Sequence, residues 1–177
     1  YVANNGSDNV SVIHPVLLQV VATIPVGADP LGIAVTPNGK FVYVANEGSG
    51  TVSVISATTY EVVDEITVGT APSGVAINPA GTRVYVTNRG SNTVSVINTA
   101  TNTVIGTINL SASGRNPIGV SVSPDGTRVV VANNGTFSPT PVINASISII
   151  NDVTNTVVTD IVVGPSAGYY ALGNWMS

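Results

Sequence analysis

Between residues 32 and 110 the chain alternates short apolar runs with clusters of small polar residues. One stretch reads "GIAV" (32–35), "FVYVAN" (41–46), "TVSVI" (51–55) and "EVVDEITV" (61–68). Each run is four to eight residues long, rich in β-branched side chains and bounded by Gly, Pro, Asn, Asp or Ser, which predicts a β-strand. No segment carries the 3.6-residue period of an amphipathic helix. In "TPNGK", "NPAGT" and "SPDGT" a Pro-x-Gly turn joins the first run of a set to the second. Pro presets φ at the first turn position and Gly takes the positive φ, so each predicts a tight hairpin. The Asn that ends each second run (Asn4, Asn46, Asn88, Asn133) is placed to cap the following turn with its side chain.

The pattern repeats. "YVAN", "YVAN", "YVTN" and "VVAN" begin at Tyr1, Tyr43, Tyr85 and Val130, spaced 42, 42 and 45 residues apart. "VSVI" at 10–13, 52–55 and 94–97 is answered by "ISII" at 147–150. From the Ile closing each of these tetrads the next strand's Ile follows at a constant step: Ile13 to Ile24, Ile55 to Ile66, Ile97 to Ile108, Ile150 to Ile161. Four antiparallel strands in such a unit describe a propeller blade. Blades stack face to face, so both faces of the middle strands are buried, and "FVYVAN" is apolar almost throughout where a one-sided sheet would alternate. The predicted fold is therefore an all-β propeller in one domain, 1–177, with units at about 1–30, 31–72, 73–117 and 118–164 and a closing strand in 165–177.

Composition fits this picture. Apolar residues make up 44% of the chain and charged ones 8%, against roughly 25% charged in an ordinary soluble domain. The most hydrophobic segment, "PVLLQVVATIPVG" (15–27), is interrupted by Gln19, Thr23 and Pro25 and is far short of the ~18 apolar residues of a spanning helix. Ser, Thr and Asn cover the surface instead of Lys and Glu. Five basic residues and a net charge of −4 argue against nucleic acid as a partner. With no Cys there is no disulfide, thiolate metal site or cysteine nucleophile. Asn-x-Ser/Thr acceptors at Asn5, Asn9, Asn109, Asn134 and Asn144 lean toward an exported, glycosylated protein. The chain opens inside a unit, which reads as a processing or fragment boundary.

Taken together, the period, "YVTN", "NTVSVINTATNTV" and "PSGVAINPAGTRVYVTN" resemble the YVTN family of β-propeller repeats, found in surface-layer and other exported proteins of archaea and bacteria. The resemblance spans essentially the whole chain. It implies a propeller in an extracellular, structural or interaction role, and the family has no shared catalytic signature to carry over. Two departures stand out: its rings hold more than four blades, and the first unit here lacks its own first strand. "PSAGYYALGN" (165–174) aligns with the first-strand segment "PSGVAI" (72–77), so residues 168–173 can complete the blade begun by Tyr1–Asn4, in the same chain or in a partner. A four-bladed closed ring and an arc of a larger ring both remain open.

Candidate chemistry is sparse. His14 is the single histidine and fills a turn slot held elsewhere by Ser56, Asn98 and Asn151; no Gly-x-Ser-x-Gly elbow accompanies it. Asp125 occupies a turn position shared with Asn38 and Ala80. Asp64 and Glu65 adjoin on one strand and so point to opposite faces, which suits a soluble outer strand and no coupled dyad. Arg83 and Arg128 are repeat equivalents of Phe41, which favours packing. Trp175, Tyr169 and Tyr170 read as terminal packing against the first blade, with a sugar-stacking surface as the other reading. The innermost strands carry no titratable side chain except Tyr169 and Tyr170. We expect no enzyme, no cofactor and no metal. The alternatives are a lactonase-like or haem-binding propeller, or a purely architectural repeat of a filament or layer. Two insertions break the period: "LSASGRNP" (110–117) adds three residues to a blade-to-blade link, and "NNGTFSPTPVINAS" (133–146) adds eight between second and third strands. Both project from one face of the fourth blade. There Arg115, Asn116 and Phe137 would bind a protein, including a second copy, or a glycan, since long loops on a rigid scaffold are the usual seat of function.

Overall fold

The structure, a computed structural model, describes residues 1–110, 116–135 and 144–164. These hold four antiparallel sheets in succession. The first is three-stranded: β1 (Val2–Asn4), β2 (Asn9–His14) and β3 (Gln19–Pro25). The second contains β4 (Pro30–Val35), β5 (Phe41–Asn46), β6 (Thr51–Ser56) and β7 (Val62–Thr67). The third contains β8 (Pro72–Ile77), β9 (Arg83–Asn88), β10 (Thr93–Asn98) and β11 (Thr103–Asn109). The fourth contains β12 (Pro117–Val122), β13 (Arg128–Asn133), β14 (Ala145–Asn151) and β15 (Thr156–Gly164). Each is an up-and-down meander, the blade of a β-propeller. The first blade has no innermost strand among the described residues, as its sequence predicts.

The core lies between blades. Tyr43, Ala45, Val52, Val54 and Ile66 of the second blade pack on Val84, Val86 and Ile97 of the third. Tyr85, Val94, Val96, Ile108 and Leu110 of the third pack on Val129, Val131 and Ile150 of the fourth. Val10, Val12 and Ile24 of the first meet Val42, Val44 and Ile55 of the second. Alternate residues of one strand therefore enter two different cores, which is why β5, β6 and β9 are buried along nearly their whole length. Each blade thus has a forward face toward its successor and a rear face toward its predecessor.

Every outer strand carries a bulge at the same place. The register with the third strand skips one residue between Val12/Ile13, Val54/Ile55, Val96/Ile97 and Ile149/Ile150. The skipped residues are Val21, Val63, Ile105 and Val158, all exposed. A bulge raises the local twist. Asp64 and Glu65 sit on this strand opposite Val54 and Ser53, exposed and on opposite faces.

The Pro-x-Gly turns close as expected. Gly39, Gly81 and Gly126 have φ of 70, 69 and 70°, and their amides donate to Thr36, Asn78 and Ser123 at 2.8 Å each. The strand-ending Asn behaves differently from expectation. The following turn closes on backbone alone, as Gly50 N to Asn46 O at 3.1 Å illustrates. The Asn amide instead donates across to the third strand: Asn46 to Thr51 and Ser53 (3.1 and 2.9 Å), Asn88 to Thr93 and Ser95 (3.0 and 2.9 Å), Asn133 to Ser146 and Ser148 (3.2 and 2.8 Å). At the strand's last position the side chain already faces the paired strand, so hydroxyls two residues apart are nearer than the turn. These hydroxyls lie inside a sheet buried on both sides, where an unmade bond would cost about 1–3 kcal/mol.

Candidate functional site

Two faces of the propeller carry polar groups. On one, the blade-to-blade links meet the turns between second and third strands. The backbone pairs Glu47 N with Asp29 O (2.9 Å), Arg89 N with Ala71 O (2.9 Å) and Asn134 N with Asn116 O (3.1 Å). Asp29, Ala71 and Asn116 share a left-handed conformation, φ 53, 51 and 47°, each immediately before the Pro that opens a first strand. Glu47 and Arg89 form an ion pair between neighbouring turns of the second and third blades.

This is the face of the two insertions. The structure brings their bases together: Asn116 Nδ2 donates to Gly135 O at 2.7 Å, and Asn116 N donates to Asn92 Oδ1 at 3.0 Å. Asn116 is half-buried and acts as the anchor of this loop pair, so its amide NH2 is committed inside the protein. Arg115 and Phe137 lie outside the described residues, as do Tyr169, Tyr170, Trp175 and the closing strand 168–173. Among the sequons, Asn5, Asn109 and Asn144 are exposed and Asn134 is half-buried. Asn9 is tied down, accepting from Asn4 Nδ2 and donating to Ser7 O, both at 2.8 Å.

On the opposite face an open cleft of about 590 Å³ lies between the third and fourth blades. Asn78, Pro79, Ala80, Thr82 and Arg83 form one wall, and Asp125, Gly126 and Asp152 the other. Arg83 donates to the backbone carbonyl of Asp152 and lies 3.6 Å from its carboxylate. The Tyr85 hydroxyl donates to the same carboxylate. Burial pushes the Tyr85 phenol up to about 12, aided by the Asp152 carboxylate that accepts its proton. Asp125 is held down at about 2 by the Ser123 hydroxyl first, then by the amide and hydroxyl of Thr127. The cleft therefore presents one ionised, exposed carboxylate beside an arginine already neutralised by Asp152. It can attract a cation or accept from hydroxyl groups. It pairs no nucleophile with a base.

Arg83 has a structural role, as the sequence reading favoured: its side chain ties two blades together through Asp152, a residue 69 positions away that only the curvature of the ring brings near. Exposed Arg128, its repeat equivalent, donates to the carbonyl of its own neighbour Thr127 (3.1 Å). His14 ends β2 and caps the turn that follows, its Nδ1 accepting from Val16 N and Leu17 N at 3.3 and 3.1 Å. Among the described residues no three His, Cys, Asp or Glu are placed to hold a metal ion, and no helix is long and apolar enough to cross a membrane.

Residues 33–138 match the family described as lactonase, 7-bladed beta-propeller. Among solved structures the chain is similar to Kuenenia stuttgartiensis hydrazine synthase, with a TM-score of 0.85 and 32% identity over 92% of this chain and 45% of that one. It is also similar to a functionally unknown protein from Desulfotomaculum acetoxidans, with a TM-score of 0.71 and 22% identity over 88% of this chain and 49% of that one. The second likeness concerns the fold alone. The chain spans less than half the length of either structure. No curated protein matches it.

Proposed function

The chain belongs to the lactonase, 7-bladed beta-propeller family, and from that premise we propose that it works as a non-enzymatic interaction scaffold of a cell-surface or exported protein, of the YVTN surface-layer type. The observation that carries this reading is the pair of insertions on the fourth blade, tied at their bases by Asn116 to Gly135 and Asn134. A rigid repeat that departs from its period only in two adjoining loops is built to display those loops. The described innermost strands, β4, β8 and β12, bring no titratable side chain to the axis. The ionisable groups of the cleft are held in turns or in the contact between blades. The partner is a protein or a glycan.

The family description itself favours one other reading, an enzyme acting on lactones. The two readings separate in one experiment. Immobilised chain, intact and with residues 136–143 deleted or Arg115→Ala, is offered glycans and cell-surface protein extracts, while a panel of lactones is followed by pH-stat. Binding that falls with either loop change, at an unaltered melting temperature and without lactone turnover, supports the scaffold. Turnover proportional to protein and indifferent to the loop overturns it.

A further inference from the structure

We propose that the cleft between the third and fourth blades binds a neutral saccharide, with Asp125 on one wall accepting from its hydroxyls and Arg83 on the other donating to them. The site lies on the face opposite the insertion loops, and its occupation leaves those loops free.

Comparison along the repeat shows what is particular to this junction. Between the second and third blades the same positions carry Asn38, Lys40 and Phe41 on one wall and Ala80 and Thr99 on the other. Phe41 packs against the core of those two blades, and Thr99 Oγ1 donates to Gly81 O at 2.7 Å. Between the third and fourth blades each of these positions changes: Ala80, Thr82 and Arg83 face Asp125 and Asp152. Two side chains of the first wall are shortened, its aromatic ring gives way to a guanidinium, and the second wall gains two carboxylates. The space that results, about 590 Å³, falls in the range of small-molecule sites.

The tie between blades explains only part of this. It uses Arg83 and Asp152, and Ala80, Thr82 and Asp125 take no part in it. In the second blade Asn38 Oδ1 closes its turn, accepting from Thr36 Oγ1 and Lys40 N at 2.7 and 3.0 Å. In the third blade buried Asn78 does this work, its Oδ1 accepting from Thr82 N and Arg83 N at 2.9 and 3.0 Å. The turn therefore holds without a long side chain at position 80, and the small Ala80 leaves the cleft open.

The lining selects the ligand. It holds no large apolar side chain, so an apolar ligand gains little there. An anion meets Asp125 and Asp152, and a cation meets Arg83. A hydroxyl group escapes both penalties, because it donates and accepts. Asp125 is exposed, and its Oδ1 accepts from Ser123 Oγ, Thr127 N and Thr127 Oγ1 at 2.5, 3.0 and 2.9 Å. Its Oδ2 has the shared Thr127 hydroxyl alone among the described residues, at 2.9 Å, which leaves it accepting capacity. Arg83 spends Nη1 on Asp152, and its side chain is still 28% exposed. A charged acceptor on one wall and a charged donor on the other suit a ligand dense in hydroxyls, since charge-assisted bonds are the stronger ones.

Saturation-transfer NMR and calorimetry on the 177-residue chain test this. The probes are glucose, galactose, mannose, N-acetylglucosamine, maltose and cellobiose, with acetate and methylammonium as charged controls. The expected result is saturable binding of at least one sugar with a Kd of about 1–10 mM, and of neither ion. Ala80→Asn restores the side chain that the second blade carries at this exposed turn position. It should weaken binding by at least ~10-fold with circular dichroism unchanged. Asp125→Asn keeps a side chain able to close the turn, as Asn38 does, and removes the charged acceptor, which should weaken binding by about 10-fold. Failure of every sugar to bind at about 50 mM overturns the proposal. Sugar binding that survives both variants lies elsewhere, the insertion loops included, and overturns it while leaving the proposed function standing. Binding of acetate or methylammonium in place of the sugars overturns it equally and assigns the cleft to an ion.

Discussion

Replacing Gly74 by Ala should destabilise the propeller far more than the same change at Gly119, although both occupy the third position of a first strand. Neither has the positive φ that an alanine would resist, so backbone conformation does not separate them. Space does. A Cβ at Gly74 would lie 2.4 Å from the carbonyl oxygen of Ile118, 2.9 Å from Thr87 Oγ1 and 3.3 Å from Gly119 Cα. Two of these atoms are backbone of the next blade's innermost strand and cannot rotate away. The third is held in place: Thr87 Oγ1 accepts from Gly74 N at 2.8 Å and donates to Ile118 O at 3.1 Å. At Gly119 the nearest atom to a new Cβ among the described residues is Ala132 Cβ at 3.7 Å, an ordinary contact.

The methyl at Gly74 therefore forces the third and fourth blades apart by most of an ångström. Overpacking of this kind costs about 1–3 kcal/mol. Loss of the Thr87 bridge adds roughly 1 kcal/mol, and the stiffer unfolded chain returns about 0.5 kcal/mol. A net destabilisation of about 1.5–3.5 kcal/mol follows for Gly74→Ala, and about zero or slight stabilisation for Gly119→Ala. In a chain of this length that is a fall in melting temperature of roughly 3–14 °C against almost none. Thermal and urea unfolding followed by circular dichroism give both values. Melting temperatures within about 1 °C of each other would refute the view that close approach of innermost strands sets these glycines.

Three further outcomes follow from the same contacts. Asp152→Ala should cost about 1–3 kcal/mol by leaving the Tyr85 hydroxyl without its acceptor and Arg83 without its ion pair, its bond to the backbone carbonyl being kept, and absorbance titration should then show the Tyr85 phenol ionising below its present value of about 12. Tyr60, at φ 58°, sits where Asn102 and Asn155 stand in sister blades, so Tyr60→Asn should stabilise by roughly 0.5–1 kcal/mol in urea unfolding, since Asn tolerates the left-handed region. Asp125 has a folded pKa of about 2 against an ordinary 3.8, so its contribution is complete above the ordinary value and is lost as pH falls toward 2. Asp125→Asn should therefore flatten the stability profile between those two pH values and lower stability at neutral pH, where the carboxylate's contribution is complete, while leaving stability below pH about 2 nearly unchanged.

The second unit shows how far a sequence of this kind can be read. The second and third strands were placed within one residue, Phe41–Asn46 and Thr51–Ser56, because β-branched runs between Gly and Asn leave little freedom. The first strand begins two residues earlier than its apolar run, at Pro30, because Pro30 pairs with Asn46 before the register shifts. A bulge has no residue signature here: Val63 is one β-branched residue among several. The Asn ladder was visible as a constant residue and misread in role, since a turn cap and a cross-strand donor ask for the same amide. Contacts between blades were least legible. Arg83 and Asp152, or Glu47 and Arg89, meet through the angle between sheets, which no local pattern encodes.

What the period does encode bears on function. A strict repeat makes every internal junction equivalent, so the sequence is under the same packing demand in each unit. Residues that answer to packing should recur, as Ile55, Ile97 and Ile150 do in the third strands and Gly32 and Gly74 do on the axis. Departures then carry the information. Where they come as compensating neighbours inside the chain, Arg83 with Asp152 and Tyr43 with Asn102, they adjust a junction. Where they come as lengthened loops side by side on the fourth blade, nothing in the packing requires them. Loops of that kind cost entropy to close, and the proposed function assigns them to a partner outside the chain. Deleting 136–143 should for this reason change melting temperature by no more than about 2 °C while reducing partner capture. A large loss of stability would assign those residues to the fold instead.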